Sequence, residues 1–142
     1  MNILKILTPK RIVGNVGERA AAKYLRRHGY KILERNLVSD DNEVDIVARR
    51  KNVIVYVEVK TRNAEHTSLY EPRPASSVDS KKQRSIIKVA THYHAYHGKG
   101  RRARFDIIEV ILKSGKIAEI KHLEGAFNKN SAYTGRYENE IR

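Results

Sequence analysis

The chain of 142 residues contains no cysteine, which excludes a disulfide framework, a thiolate nucleophile and any zinc site built on thiolates. Thiol redox chemistry goes with them. No apolar run reaches 18 residues, and the one in "MNILKILTPKR" is too short for a signal h-region or a membrane span, so the expectation is a soluble, cytoplasmic protein without a membrane partner. Proline is sparse, and two of the three sit in "EHTSLYEPRPASS", Glu65 to Ser77, which reads as a surface loop. Acidic charge is also scarce. Sixteen Asp and Glu face twenty-nine Lys and Arg, a formal charge of +13 and a pI near 10.1. Such a field concentrates polyanions, so nucleic acid is the first partner to expect. A scaffold on ribosomal RNA would explain the charge equally well.

What is present is a periodic pattern. "NVGERAAAKYLRRHGY" carries Val16, Ala20, Ala21, Tyr24 and Leu25 at helical spacing, with Gly29 placed as a C-terminal stop. "YKILERNL" follows as a strand, and "VSDDN" as a turn. "NEVDIVARRKNVIVYVEVKTR", Asn42 to Arg62, predicts two strands joined at Arg49 to Asn52, with Asp45 opposite Tyr56. Alternation then puts Val44, Ile46 and Ala48 on the face of Val53, Val55, Val57 and Val59. The other face carries Glu43, Asp45, Val47, Ile54, Tyr56, Glu58 and Lys60, with Asp45 and Glu58 as diagonal neighbours about 7–8 Å apart.

A second helix, "VDSKKQRSIIKVATHYHAYH", is predicted with Ser76 or Ser77 as its cap. Its buried stripe is Val78, Ile86, Ile87, Ala90 and Tyr93 or His94, and Gly98 and Gly100 end it. "ARFDIIEVIL" and "KIAEIKHLE" form a second hairpin about "KSGK". One domain over residues 1–127, with a polar tail at 128–142, follows from this order, with no repeat and no second domain. The fold class is α/β, a mixed central sheet flanked by helices, in which the strand after the second helix pairs parallel to an earlier one.

Charges inside strands that should be buried need compensation. The carboxylates of Asp45 and Glu58, with the Val59 carbonyl, would suit Mg²⁺ or Mn²⁺ through oxygen ligands, and Lys60 would stabilise developing negative charge. The competing reading is a cross-strand ion network on a solvated face.

The ordered motifs "GERAAAKYLRRHGYKILERN", "NEVDIVA", "VYVEVKTR", "KKQRSIIKVATHY" and "RFDIIEV", covering Gly14 to Phe127, resemble the YraN-like family. That family is one of predicted endonucleases similar to archaeal Holliday-junction resolvases, with a restriction-endonuclease-like core and a PD-(D/E)xK site. The resemblance implies that Asp45 and Glu58 are the metal-binding acids, Lys60 the catalytic lysine and Glu18 a further acid brought in by the first helix. Asn42 stands where the family pattern "GEIDLIA" has glycine, and Asn tolerates positive φ. Glu43 points the same way as Asp45, as a strand-end charge or an outer support.

DNA phosphates would then be held by Arg49, Arg50 and Lys51 at the hairpin tip, by Lys81, Lys82, Arg84 and Lys88 on the second helix, and by Arg101, Arg102 and Arg104 before the fourth strand. Gln83 on that helix would support the site or sit as a surface amide. The implied activity is metal-dependent hydrolysis of DNA phosphodiesters at branched or junction DNA, by a homodimer with or without a partner protein. A non-cleaving binding module of the same fold is the alternative.

Overall fold

Residues 9–64 and 78–130 are described by the computed structural model. The loop expected at Glu65 to Ser77, including the Ser76 and Ser77 caps, and most of the polar tail lie outside them. Helix α1 spans Pro9–Arg27, followed by strands β1 Lys31–Ser39, β2 Asn42–Arg50 and β3 Val53–Asn63, helix α2 Ser80–His97, and strands β4 Arg102–Lys113 and β5 Lys116–Phe127. The sheet order is β1-β2-β3-β4-β5. Only β3 and β4 pair in parallel; the other neighbours are antiparallel. This is the expected mixed α/β architecture of a restriction-endonuclease-like core. The parallel pair follows from the α2 crossover, because a parallel partner requires a long connection.

Helices cover both sheet faces, so the middle strands are apolar on both sides. Toward α1, Ala21 and Leu25 pack on Ile46, Val55, Val57, Ile108 and Val110. Toward α2, Ile86, Ile87 and Ala90 pack on Val44, Val47, Ile54, Tyr56 and Ile107. Among the described residues no helix is long and apolar enough to cross a membrane.

Helix α2 starts at Asp79 rather than at a serine, with Asp79 Oδ1 accepting from Lys82 N–H at 2.8 Å. It ends at Gly98. Buried Gly17 of α1 lies where a Cβ would collide with Thr61 Oγ1 of β3. The contact sets how closely α1 approaches the sheet. Gly17→Ala should therefore cost roughly 1–3 kcal/mol in urea unfolding, with partial recovery in a Gly17→Ala/Thr61→Ala double variant; unchanged stability would contradict this packing.

The hairpin register differs from the sequence expectation by two residues. Lys51 and Asn52 alone form the turn, with Lys51 at φ 54°, and Arg50–Val53 is the first pair. Tyr56 therefore faces Val47 and not Asp45. The face assignment survives this shift from Ile46 to Lys60 because it moves by an even number, but not at Val44, nor at Glu43 and Asp45, which meet Glu18 of α1. Val44 packs in the α2-side cluster with Val47, so alternation breaks between Val44 and Ile46.

Candidate metal centre and nucleic-acid face

That break marks a splay in the sheet. The β2–β3 ladder stops at Ile46–Val57, yet β2 remains paired with β1 as far as Asn42 and β3 with β4 as far as Asn63. Asp45 and Glu58 are the next residues on the two diverging strands. In place of the lost ladder bond, Asp45 Oδ2 accepts from Val59 N–H at 2.8 Å. A carboxylate has filled a backbone acceptor's position, which turns it inward at the mouth of the opening.

Helix α1 closes the opening with an acid. Carboxylate oxygens of Glu18, Glu43 and Asp45 all lie within 4.8 Å of one another. Glu58 stands outside that group but neighbours Asp45, which pushes the Glu58 carboxyl up. Three acids thus share one point, with Glu58 at its edge beside Asp45. Asn36 of β1, at φ 52°, supports its outer side; with its amide nitrogen turned inward it donates to Glu43 Oε1 and Glu18 Oε1, each at 3.0 Å.

Crowding changes the protonation of these groups. Burial pushes Glu58 up to about 8, assisted by Asp45 and opposed by Lys82 and Lys60. Burial and Asp45 push Glu18 up to about 7, against the pull of Arg35. Asp45 is also raised, chiefly by burial, although the Val59 N–H and Lys82 pull it back. Acids with raised folded-state values stabilise the fold fully below their ordinary value of 4.5, and that contribution is lost as pH rises through 7 and then 8. Metal-free protein should therefore be less stable at pH 9 than at pH 5. A divalent ion replaces the protons, so Mg²⁺ or Mn²⁺ should raise Tm more at pH 8.5 than at pH 5.5. An equal metal effect at both values would contradict the coupling.

The donor set fits a hard cation. Glu58 is only 7% exposed, and its Oε2 is a buried acceptor without a hydrogen-bond donor. Carboxylate oxygens suit Mg²⁺ and Mn²⁺, which prefer oxygen at distances near 2.1 Å. Glu18, Glu43 and Asp45 would hold the ion, with Glu58 beside them. The Val59 carbonyl is expected as a ligand beside Asp45 and Glu58; what the fold shows at Val59 is its N–H engaged by Asp45.

Two lysines approach this cluster. Lys60 follows Glu58 on the same strand face and lies half-buried. Lys82 comes from α2, with Nζ 3.9 Å from Glu58 Oε2. Its pull on Glu58 exceeds that of Lys60, which sequence alone did not suggest. Gln83 is 1% exposed and donates through Nε2 to the Val78 carbonyl at 2.8 Å. It is a buried support and not a surface amide or a phosphate contact. Its spacing to Ile86, Ile87 and Ala90 was the available signal.

The expected DNA cations divide into separate groups. Lys81, Lys82, Arg84 and Lys88 line a cleft along α2, on the side of the acids. Arg49, Arg50, Lys51, Arg101 and Arg102 cluster at the opposite end of β3, where Val53 pairs with Arg102. Five residues separate Val53 from Glu58, about 16 Å at 3.3 Å per residue. Arg104 is a correction. It clamps buried Asp106 through Nε–Oδ1 and Nη2–Oδ2, both 2.8 Å, and also donates to Tyr30 Oη at 2.7 Å. A guanidinium committed to a buried carboxylate is structural.

Two other sequence features also resolve. The positive φ in the β1–β2 turn belongs to Asp40, at 53°, and not to Asn42; Asn42 Oδ1 instead accepts from Ser85 Oγ at 2.6 Å. His94 has Nδ1 2.7 Å from Tyr56 Oη and Nε2 2.7 Å from the Arg101 carbonyl. Both ring nitrogens are used, which leaves no role as a metal ligand.

Residues 17–110 match the uncharacterised protein family UPF0102. A UPF0102 protein of Caldanaerobacter subterraneus subsp. tengcongensis is 45% identical over 121 residues, covering 83% of this chain and 96% of its own. One from Geobacter metallireducens is 46% identical over 119 residues, covering 81% and 91%. A solved chain described as "Crystal structure of SSO0001" aligns with a TM-score of 0.35 at 12% identity, covering 89% of this chain and 57% of its own.

Proposed function

This chain belongs to the uncharacterised family UPF0102, and from that premise we propose that it is a divalent-metal-dependent endonuclease that hydrolyses DNA phosphodiesters, with branched or junction DNA as its substrate class. The observation that carries the reading is the acid cluster at the sheet splay, set in a chain of +13 formal charge. Clustered carboxylates repel phosphate unless a cation lies between them, and a binding module gains nothing by keeping them.

Glu18, Glu43 and Asp45 would hold Mg²⁺ or Mn²⁺, with Glu58 beside Asp45 as a further acid. When bound, the ion would lower the pKa of a coordinated water and neutralise charge on the phosphate. The protein's own groups do the rest. Asp45, fixed by the Val59 N–H, sets the position of the acids relative to β3. Lys60 places an ammonium where negative charge builds up on the non-bridging oxygens. That placement suits electrostatic stabilisation rather than a general-base role. Lys82 offsets the negative potential at Glu58 from the α2 side. A homodimer would present two such sites to the two-fold axis of a four-way junction.

The test is incubation of linear, flapped, single-stranded and four-way DNA with the protein and Mg²⁺ or Mn²⁺. Cleavage of a branched substrate in the presence of metal is the expected result. Binding to every substrate without any cut would replace the nuclease by a binding module, and cleavage without metal would overturn the role of the acid cluster.

A further inference from the structure

The cleft along α2 lies beside the acid cluster, whose carboxylates do not line it. It has a volume of about 1120 Å³, and Lys81, Lys82, Arg84 and Lys88 line it together with Lys129, which follows β5. Asp41 and Asp79 also border it, and Asp79 Oδ1 is occupied with capping the helix. Lys82 is the junction with the acid cluster, because its Nζ is 3.9 Å from Glu58 Oε2.

At its far end the cleft meets a second groove. His92 borders both, and the second, of about 290 Å³, is walled by Leu37, Val38, Tyr93 and Tyr96. Tyr96 is 73% exposed and Val38 60%. The Tyr96 and His92 rings have centroids 5.5 Å apart at 62°, so one supports the other. From Lys82 to Tyr96 is fourteen residues, about 21 Å along a helix.

We infer that α2 carries a track for one unpaired DNA strand, with its phosphates on the lysine-rich cleft and a base stacked on Tyr96. A row of cations leading to an exposed aromatic platform is the combination by which proteins hold single strands, and the length suits roughly four nucleotides. A duplex would satisfy the cations, but its bases present no free face to the ring. Resting on the nuclease reading, the inference narrows the substrate to a branched DNA with a single-stranded arm, the arm running from the acids toward the C-terminal end of α2.

The probe is fluorescence anisotropy with a labelled twelve-residue oligothymidylate, and an abasic oligomer of equal length, in EDTA. The parent protein should bind the thymidylate about fivefold or more tightly than the abasic strand. Tyr96→Ala should remove that preference, and Tyr96→Phe should restore it. Lys88→Glu should weaken both oligomers alike, since a phosphate contact does not depend on bases. Equal binding of the two oligomers by the parent, or a preference that survives Tyr96→Ala, would overturn the track. Because Tyr96 projects into solvent, misfolding does not confuse the result. Binding in EDTA needs no metal, so a base preference without any cleavage would sink only the nuclease reading, and cleavage without a base preference only this inference.

Discussion

Replacing Asp45 with Asn should reduce metal-dependent cleavage on the order of 10³-fold, about 4 kcal/mol of barrier, while DNA binding without metal stays the same or tightens. Asp45 is the hub of the acid cluster. It accepts the Val59 N–H, groups with Glu18 and Glu43 and neighbours Glu58. The Asn oxygen can keep the Val59 bond, so the splay should retain its shape while the cluster loses a charge and a ligand. Loss of a direct ligand should exceed the 10–100-fold typical of groups that merely support one. Binding should not suffer, because removing a negative charge lowers repulsion toward phosphate. Lys60→Ala should show the complementary pattern, with cleavage lost and affinity nearly intact, since one of many cations matters little to binding. Single-turnover cleavage alongside anisotropy in EDTA checks both, and a fall below tenfold for Asp45→Asn would remove the residue from the centre of the account.

The second large effect is on stability. Asp106→Ala should cost roughly 3–5 kcal/mol, the range for breaking one partner of a buried ionic network, seen as a Tm drop of about 10–20 °C. Asp106 is completely buried. It receives two bonds from Arg104, one from the Gly125 N–H at 3.0 Å, and one from His122 Nε2 at 2.7 Å. Burial alone would raise its carboxyl, but the His122, Arg104 and Gly125 hydrogen bonds outweigh that and hold it below 3.8. An acid lowered in this way supports the fold fully above 3.8, and the support is lost as pH falls through its folded value. Removing it would take the acceptor from Arg104 Nε and His122 Nε2 and leave Arg104 only Tyr30 Oη and the more distant Glu124. Thermal unfolding at pH 7 reads the loss directly, and a drop under 3 °C would show that the network is dispensable.

Periodicity alone located both helices and all five strands, because helix and strand repeats differ clearly in "ERAAAKYL" and "VIVYVEV". The site was legible as residue types but less so as geometry. The two-residue register difference arose at Lys51 and Asn52, where a charged residue at positive φ closes a tighter turn than its side chain suggests. Val44 changed faces because the strand breaks alternation where it leaves β3, a consequence of the third dimension. Glu43 entered the cluster through α1 and Asn36, neither of which a strand pattern can place. Arg104 was miscounted among the DNA cations because net charge does not reveal pairing, although the Arg-x-Asp spacing on one strand face was a usable signal. The lysines of α2 are where the helical repeat places them.

The direct test of the central claim is a calorimetric titration of Mn²⁺ into the metal-free protein, set against an Asp45→Asn/Glu58→Gln double variant. The account predicts saturable binding with proton release in the parent, because Glu58 and Glu18 begin partly protonated near neutral pH, and no such binding in the variant. Identical isotherms for the two proteins would contradict it.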